Sequence, residues 1–270
     1  MAAEGTGTRR STALITGASS GIGAEIAREF AAHGYDVVLV ARGKERLMAL
    51  AGELEAAHGI AARVLEADLA RPQAPDEIYQ QVGRQGVTVD VLVNNAGFAT
   101  YGPFAETDLL TERDMLQVNV VAVTHLTKLF LRDMLARGHG KVLNVASTAA
   151  FQPGPLMAVY FAAKAYVLSL SEALANEVQG TGVTVTALCP GPTPTGFQRR
   201  ARMEDTRLMH SPLVTDVATV ARVGYRALMA GKTVAIPGWT NRALIFAVRL
   251  TPRGLVTRIV RQINERTHAR

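Results

Sequence analysis

Tyr160 and Lys164 stand four residues apart, a spacing that places two side chains on one face of a helix. A phenol keeps its proton until about pH 10 and is a poor base at neutrality. An ammonium at roughly 4 Å contributes about 4 kcal/mol at an effective dielectric near 20, on the order of three pKa units. A tyrosine so placed can exchange a proton with a substrate oxygen near pH 7. Alone, such a pair is more commonly an amphipathic surface pair. Ser147, thirteen residues upstream at the end of an apolar run, either holds the same oxygen or merely opens a loop.

A second feature lies near the start, at Thr16-Gly17-Ala18-Ser19-Ser20-Gly21-Ile22-Gly23, between a β-branched run and a helical pattern. Glycines there let the backbone turn sharply and approach a pyrophosphate, and a helix N-terminus offers free N–H groups. The spacing is not the familiar GxGxxG, so a plain strand–helix turn remains the competing reading. The second apolar run ends in Ala41-Arg42, with Lys44 and Arg46 close behind and no acid at its end. An arginine at that place pairs with a ribose 2′-phosphate where an acid would take the free hydroxyls, which points to NADP(H). The alternative is a solvated helix start.

These residues need a scaffold, and short β-branched runs alternating with long amphipathic stretches supply one. Strands are expected at Thr12–Thr16, Asp36–Ala41, Arg63–Glu66, Val89–Asn94, Lys141–Val145, Val183–Leu188 and Thr233–Ile236. Helices are expected at Gly23–His33, Lys44–His58 and Met157–Gln179, with two more over Thr111–Arg137 that meet near Asn119. This is α/β, a single-domain doubly wound sheet of about seven parallel strands flanked by helices, with its ligand site at the carboxyl ends of the strands.

With 270 residues, 48% of them hydrophobic and 19% charged, the chain suits one large domain. The single cysteine, Cys189, excludes an internal disulfide and reads as a small buried hydrophobe. Thr8-Arg9-Arg10-Ser11 mimics a twin-arginine signal, but the apolar run behind it ends at Thr16-Gly17, so a cytoplasmic protein is expected. The six histidines (33, 58, 125, 139, 210 and 268) lack metal-ligand spacing, and no metal is expected. Residues 241–270 hold seven arginines and one acid, Glu265, so they carry the whole net charge of +6 and leave the body near zero. That distribution argues against a nucleic-acid-binding body.

Thr16 to Gly23, Asn94-Asn95-Ala96-Gly97, Asn119, Ser147, Tyr160 with Lys164, and Pro190-Gly191 stand in the order and approximate spacing of the classical short-chain dehydrogenase/reductases. Over about Ser11 to Pro237 the chain resembles that family, in particular its broad-specificity bacterial branch. The resemblance implies a Rossmann-like oxidoreductase with Asn119, Ser147, Tyr160 and Lys164 as catalytic residues. It implies cofactor binding by Gly17, Ser19, Ser20, Gly21, Ile22, Gly23, Arg42, Asp68, Leu69, Asn95, Ala96, Gly97, Tyr160, Lys164, Pro190, Gly191, Thr193 and Thr195. Thr193 stands where the family commonly has valine or isoleucine, and its hydroxyl is given no role. Asp68 is either the acid beside the adenine or a cap for a helix after Leu69. Asn94 reads as structural, tying central strands together.

Substrate is expected among Ser147, Phe98, Phe151, Met157 and Phe197, with Tyr101, Phe104 and Pro153 on the same loops. This apolar, aromatic set suits a hydrophobic ketone, aldehyde or secondary alcohol. Arg199, Arg200 and Arg202 face either an acidic group or solvent. The expected organisation is a flexible stretch over 1–10, the catalytic domain over 11–240 and a basic amphipathic extension over 241–270. In the extension Leu255, Val256, Ile259, Val260 and Ile263 share about 140° of a helical wheel. Three placements fit that stripe: a peripheral membrane contact, a neighbouring subunit of a homo-oligomeric dimer or tetramer, and the chain's own domain. The expected activity is NADP(H)-dependent carbonyl reduction, with an NAD-dependent alcohol dehydrogenase or a non-enzymatic NADP(H) sensor as alternatives.

Overall fold

The computed structural model describes residues 9–201, 206 and 213–265. Residues 1–8, Arg202, His210, Arg266, His268 and Arg270, and the side chains of Arg199 and Arg200, lie outside the described residues, so the expectations placed on them go no further. Seven strands form one parallel sheet: β1 (Thr12–Thr16), β2 (Asp36–Ala41), β3 (Ala62–Glu66), β4 (Val91–Asn94), β5 (Gly140–Val145), β6 (Val183–Leu188) and β7 (Val234–Ala235), in the order β3-β2-β1-β4-β5-β6-β7. Their runs are apolar without alternation because both faces are covered. Leu14, Val38, Leu92 and Val142 face one layer, and Ile15, Leu39, Val93 and Leu143 the other.

The first layer of helices is α1 (Gly21–Ala32), α2 (Lys44–His58) and α8 (Val217–Met229), which insert Ile26, Phe30, Leu47, Leu54, Val220 and Leu228 against one face. On the opposite face α3 (Ala74–Arg84), α5 (Ala122–Arg137) and α6 (Ala158–Glu177) contribute Ile78, Phe130, Met134 and Val178 at the end of α6. Each such burial stabilises the fold by roughly 1.5–3 kcal/mol. Between α4 (Leu109–Leu116) and α5 the helix loosens into a single π-turn, Gln117–Val121, centred on Asn119. That turn is the meeting point expected from the sequence. By length and composition α6 could cross a membrane, but here Tyr160, Ala163, Lys164, Val167 and Leu168 are packed inside.

Several bounds differ from expectation. α1 begins at Gly21, and α3 begins only at Ala74, so Asp68 caps no helix; its carboxylate holds the turn at Ala70 N at 3.1 Å. α7 (Gly196–Ala201) is short, and α9 (Trp239–Leu250) and α10 (Arg253–Asn264) make the extension two helices, the first of which starts before residue 241. At the other end Arg9 grips Asp90 through two 2.8 Å hydrogen bonds. Burial opposes ionisation of Asp90, yet Arg9, Thr12 N–H and His139 together hold its carboxyl below the usual range.

The chain builds β1 to β3 outward, then returns to set β4 on the other side of β1. A crevice opens at that reversal beyond the strand ends, and the site lies there.

Candidate active site

β1 delivers Thr16 to the crevice, where its hydroxyl donates to Val93 O at 3.2 Å and accepts from the backbone N–H groups of Asn95 and Ala96 at 3.0 and 3.1 Å. Asn95 Nδ2 returns a bond to Thr16 O at 2.8 Å, so the β1 and β4 loops are stitched together. Gly17 and Gly21 take φ of +68° and +58°, left-handed values that glycine adopts without penalty. Ser20 makes no side-chain cap and the first turn of α1 holds no acid, which leaves its amide N–H groups open to an anion. Gly23 does not reach the cavity. A Cβ there would lie 2.4 Å from Gly17 O, so this glycine lets α1 seat against the turn.

A cavity of about 750 Å³ runs over this turn. Its lining includes every other residue implied for cofactor binding: Gly17, Ser19, Ser20, Gly21, Ile22, Arg42, Asp68, Leu69, Asn95, Ala96, Gly97, Tyr160, Lys164, Pro190, Gly191, Thr193 and Thr195. Arg46 joins them. Arg42 lies 3.9 Å from Asp68 Oδ2, an exposed pair weak enough to yield to a phosphate. Thr193 turns its hydroxyl back to Gly191 O at 3.0 Å, which agrees with giving it no role towards a ligand. Asn94, as expected, ties strands: Nδ2 donates to Asn144 Oδ1 and Thr127 Oγ1, both at 2.9 Å. The open helix end, the two glycines and the guanidinium pair fit a phosphorylated dinucleotide.

At the far end α6 brings Tyr160 and Lys164 to the cavity wall on successive turns, both buried. Lys164 Nζ donates to Val145 O at 2.8 Å and lies 5.8 Å from the centre of the Tyr160 ring. The pKa values run against the sequence expectation. Burial pushes the Tyr160 phenol up to about 12, only partly offset by a hydrogen bond from Ser147, and pushes Lys164 down to about 8. Desolvation therefore outweighs ammonium–phenol attraction, because the amine is itself short of solvent and spends a proton on Val145. A phenol held that high keeps its proton at neutral pH.

Ser147 caps the 3₁₀ turn Thr148–Phe151, accepting from Ala149 N at 3.1 Å. Asn119 is fully buried behind the cavity, its amide clasping Phe98 with Nδ2 to O at 2.9 Å and N to Oδ1 at 3.2 Å. Only a glycine fits between it and the lysine, since a Cβ on Gly97 would meet Asn119 Oδ1 at 2.9 Å and Lys164 Nζ at 3.5 Å. Cys189 is packed with Val167, Leu168 and Ala187, and burial raises its thiol to about 12, as suits a small hydrophobe.

Of the expected substrate residues, Phe98, Met157 and Phe197 line the cavity beside Ser147. Phe151 does not; it packs against the cluster of Val123, Ala146 and Val167. Phe104 points to solvent. The sequence reading missed the wall supplied by the extension: Leu244 of α9 and Val260, Ile263 and Asn264 of α10 line the same cavity. Val256 and Val260 pack with Met157, Tyr160 and Phe161, so of the three placements the inner face of α10 takes its own domain. Asn241 is buried against Gly191, where a Cβ would sit 2.6 Å from its amide, and so props the 190–195 loop. The wheel of apolar residues signalled such packing; nothing in the sequence marked Asn241 or Asn264.

A family model described as short chain dehydrogenase matches residues 11–206. The chain belongs to the short-chain dehydrogenase family. Among relatives, 17-beta-hydroxysteroid dehydrogenase type 3 of Mus musculus is 35% identical over 182 residues, 66% of this chain and 58% of its own length. A very-long-chain 3-oxoacyl-CoA reductase of Pyrenophora tritici-repentis is 33% identical over 240 residues, 87% of this chain and 70% of the relative. The chain thus spans well under two thirds of the mouse dehydrogenase it matches. Among solved structures, a short-chain dehydrogenase from Sphingobium yanoikuyae in complex with NADPH is 35% identical, with a TM-score of 0.81 over 91% of this chain and 94% of that one. A bulky-bulky ketone specific alcohol dehydrogenase from Comamonas testosteroni gives 31% and 0.76 over 92% and 94%. The strand order and the match over the chain agree on the Rossmann-like fold of this family.

Proposed function

We propose that this short-chain dehydrogenase reduces a hydrophobic ketone or aldehyde with NADP(H), Tyr160 acting as the acid. The observation that carries the reading is the buried, neutral Tyr160 beside Ser147 and Lys164 in one cavity with Phe98, Met157 and Phe197. Arg42 and Arg46 at the opposite end, with no acid closing β2, support NADP(H), as does the NADPH in the Sphingobium neighbour. Bound there, the nicotinamide supplies the hydride.

The residues of the chain do the rest. The carbonyl oxygen sits between the hydroxyls of Ser147 and Tyr160, and negative charge grows on it as the carbon is reduced. Tyr160 donates its phenolic proton to that oxygen, leaving an alcohol and a tyrosinate. Lys164, whose amine exchanges protons at about pH 8, can return a proton to the tyrosinate. Asn119 holds the loop at Phe98 and the space at Gly97, and so fixes the gap through which Lys164 is reached. Run backwards, oxidation needs the tyrosinate first, which burial disfavours near neutrality.

The names of the relatives suggest three carbonyls to try with NADPH: a 17-ketosteroid, a long-chain 3-oxoacyl thioester and a ketone bulky on both sides. Turnover of at least one is expected, falling about 100-fold or more in Tyr160→Phe with NADPH binding retained. Turnover of the variant within a factor of two would sink the mechanism. NADPH binding without turnover of any carbonyl would favour the sensor alternative.

A further inference from the structure

α9 buries Asn241 and Ile245 and turns three large apolar side chains the other way. At 3.6 residues per turn Trp239, Phe246 and Leu250 fall within about 40° of one another, opposite the buried side. They are 79%, 65% and 74% exposed. Arg242 and Arg249 run together along one border of this stripe. α10 adds Leu255 and Ile259, partly exposed and four residues apart, next to Arg258. Over residues 239–265 five arginines face one acid, Glu265, which is already paired with Arg261 at 3.5 Å. The net charge there is five minus one, +4, whereas residues 1–240 sum to zero.

A tryptophan and a phenylalanine standing in water, beside arginines that pair with no acid among the described residues, are a costly surface to leave uncovered. A second copy docked by two-fold symmetry would set Arg242 and Arg249 against their own counterparts. A surface of anionic lipid satisfies both parts: an indole rests at headgroup depth, phenylalanine and leucine enter the acyl boundary, and guanidinium groups meet phosphate. We propose that the outer face of α9 docks on an anionic membrane surface. The inner sides of α9 and α10 line the cavity through Leu244, Val260, Ile263 and Asn264, so docking places the cavity wall next to the lipid. A carbonyl dissolved in the bilayer would then have a short path to the site.

Trp239 is the only tryptophan in the chain, so its emission reads this face directly. The full chain is mixed with phosphatidylcholine vesicles with or without phosphatidylglycerol and followed by flotation, Trp239 fluorescence and light scattering. Flotation with a blue shift of Trp239 is expected only with phosphatidylglycerol, and partitioning should fall roughly tenfold or more in Phe246→Ser/Leu250→Ser and in Arg249→Glu. These positions are exposed, and an unchanged melting temperature confirms the fold of each variant. The proposal is overturned by three results: no flotation, equal flotation on neutral vesicles, or flotation without a Trp239 shift. A native mass that drops in the double variant while the wild type ignores vesicles would give the face to a second copy, and would also overturn it.

Discussion

The hydroxyl of Tyr101 donates to the main-chain carbonyl of Asn264 at 2.8 Å, joining the loop after β4 to the last turn of α10. Asn264 Nδ2 in turn donates to Pro155 O at 3.0 Å, and Gly102 N to Leu156 O at 2.9 Å. Two loops that flank Tyr160 and the helix that roofs it are thus latched at one residue, Asn264, buried in the last turn of α10.

Tyr101→Phe removes the neutral hydrogen bond to Asn264 O, worth about 1 kcal/mol, and leaves the ring in place. The roof should loosen without touching the proton donor. We expect KM for a bulky ketone to rise about fivefold with kcat within about twofold. Steady-state kinetics decide it: a fall in kcat at constant KM would mean that Tyr101 acts on chemistry and the latch reading is wrong.

Arg42 should set the choice of cofactor. A charge-assisted bond to phosphate contributes about 1.5–3 kcal/mol, so Arg42→Asp should lower the ratio of NADPH to NADH affinity by roughly 10- to 100-fold. The new carboxylate would repel a 2′-phosphate and accept from free ribose hydroxyls. Fluorescence titration of both cofactors tests this, and a wild type that prefers NADH would refute the assignment.

Gly23→Ala separates packing from binding at the phosphate turn. The added methyl would press on Gly17 O, a backbone atom that cannot step aside cheaply, and overpacking of this kind costs about 1–3 kcal/mol. A melting temperature lower by several degrees is expected even without cofactor. An unchanged melting temperature together with lost NADPH affinity would return Gly23 to the ligand-binding set.

How legible this was in the sequence varied with the physics involved. β1, β2 and β6 could be read to the residue, because strands buried on both faces show as unbroken apolar runs. The glycine turn after β1 was visible as a turn, since Gly17 and Gly21 take left-handed φ values that favour glycine. The roof was not: an i, i+4 apolar stripe looks the same whether it faces the chain's own cavity, a subunit or a lipid. Asn241 and Asn264 act through local packing that follows no motif. Phe151 misled because residue type says nothing about which way a loop side chain points. The reversed pKa order at Tyr160 came from weighing a pair attraction without the desolvation that accompanies burial.

Lys164 offers the clearest pH test. Its pKa falls from 10.5 in the unfolded chain to about 8 in the folded one, through burial. Below pH 8 the amine is charged in both states and the full penalty of burying it is felt. Between 8 and 10.5 the unfolded chain binds more protons, so stability must rise with pH. Over that window the cofactor-free wild type should gain on Lys164→Met by on the order of 3 kcal/mol, read from urea midpoints. Tyr160 and Cys189, both raised to about 12, act the opposite way, losing stability as pH climbs towards 12. Both are present in each protein, so the part of their effect that does not depend on Lys164 cancels in the comparison. A difference that stays flat from pH 7 to 10.5 would show that Lys164 keeps its ordinary pKa in the folded state, and with it would go the means proposed here for reprotonating Tyr160 near neutral pH.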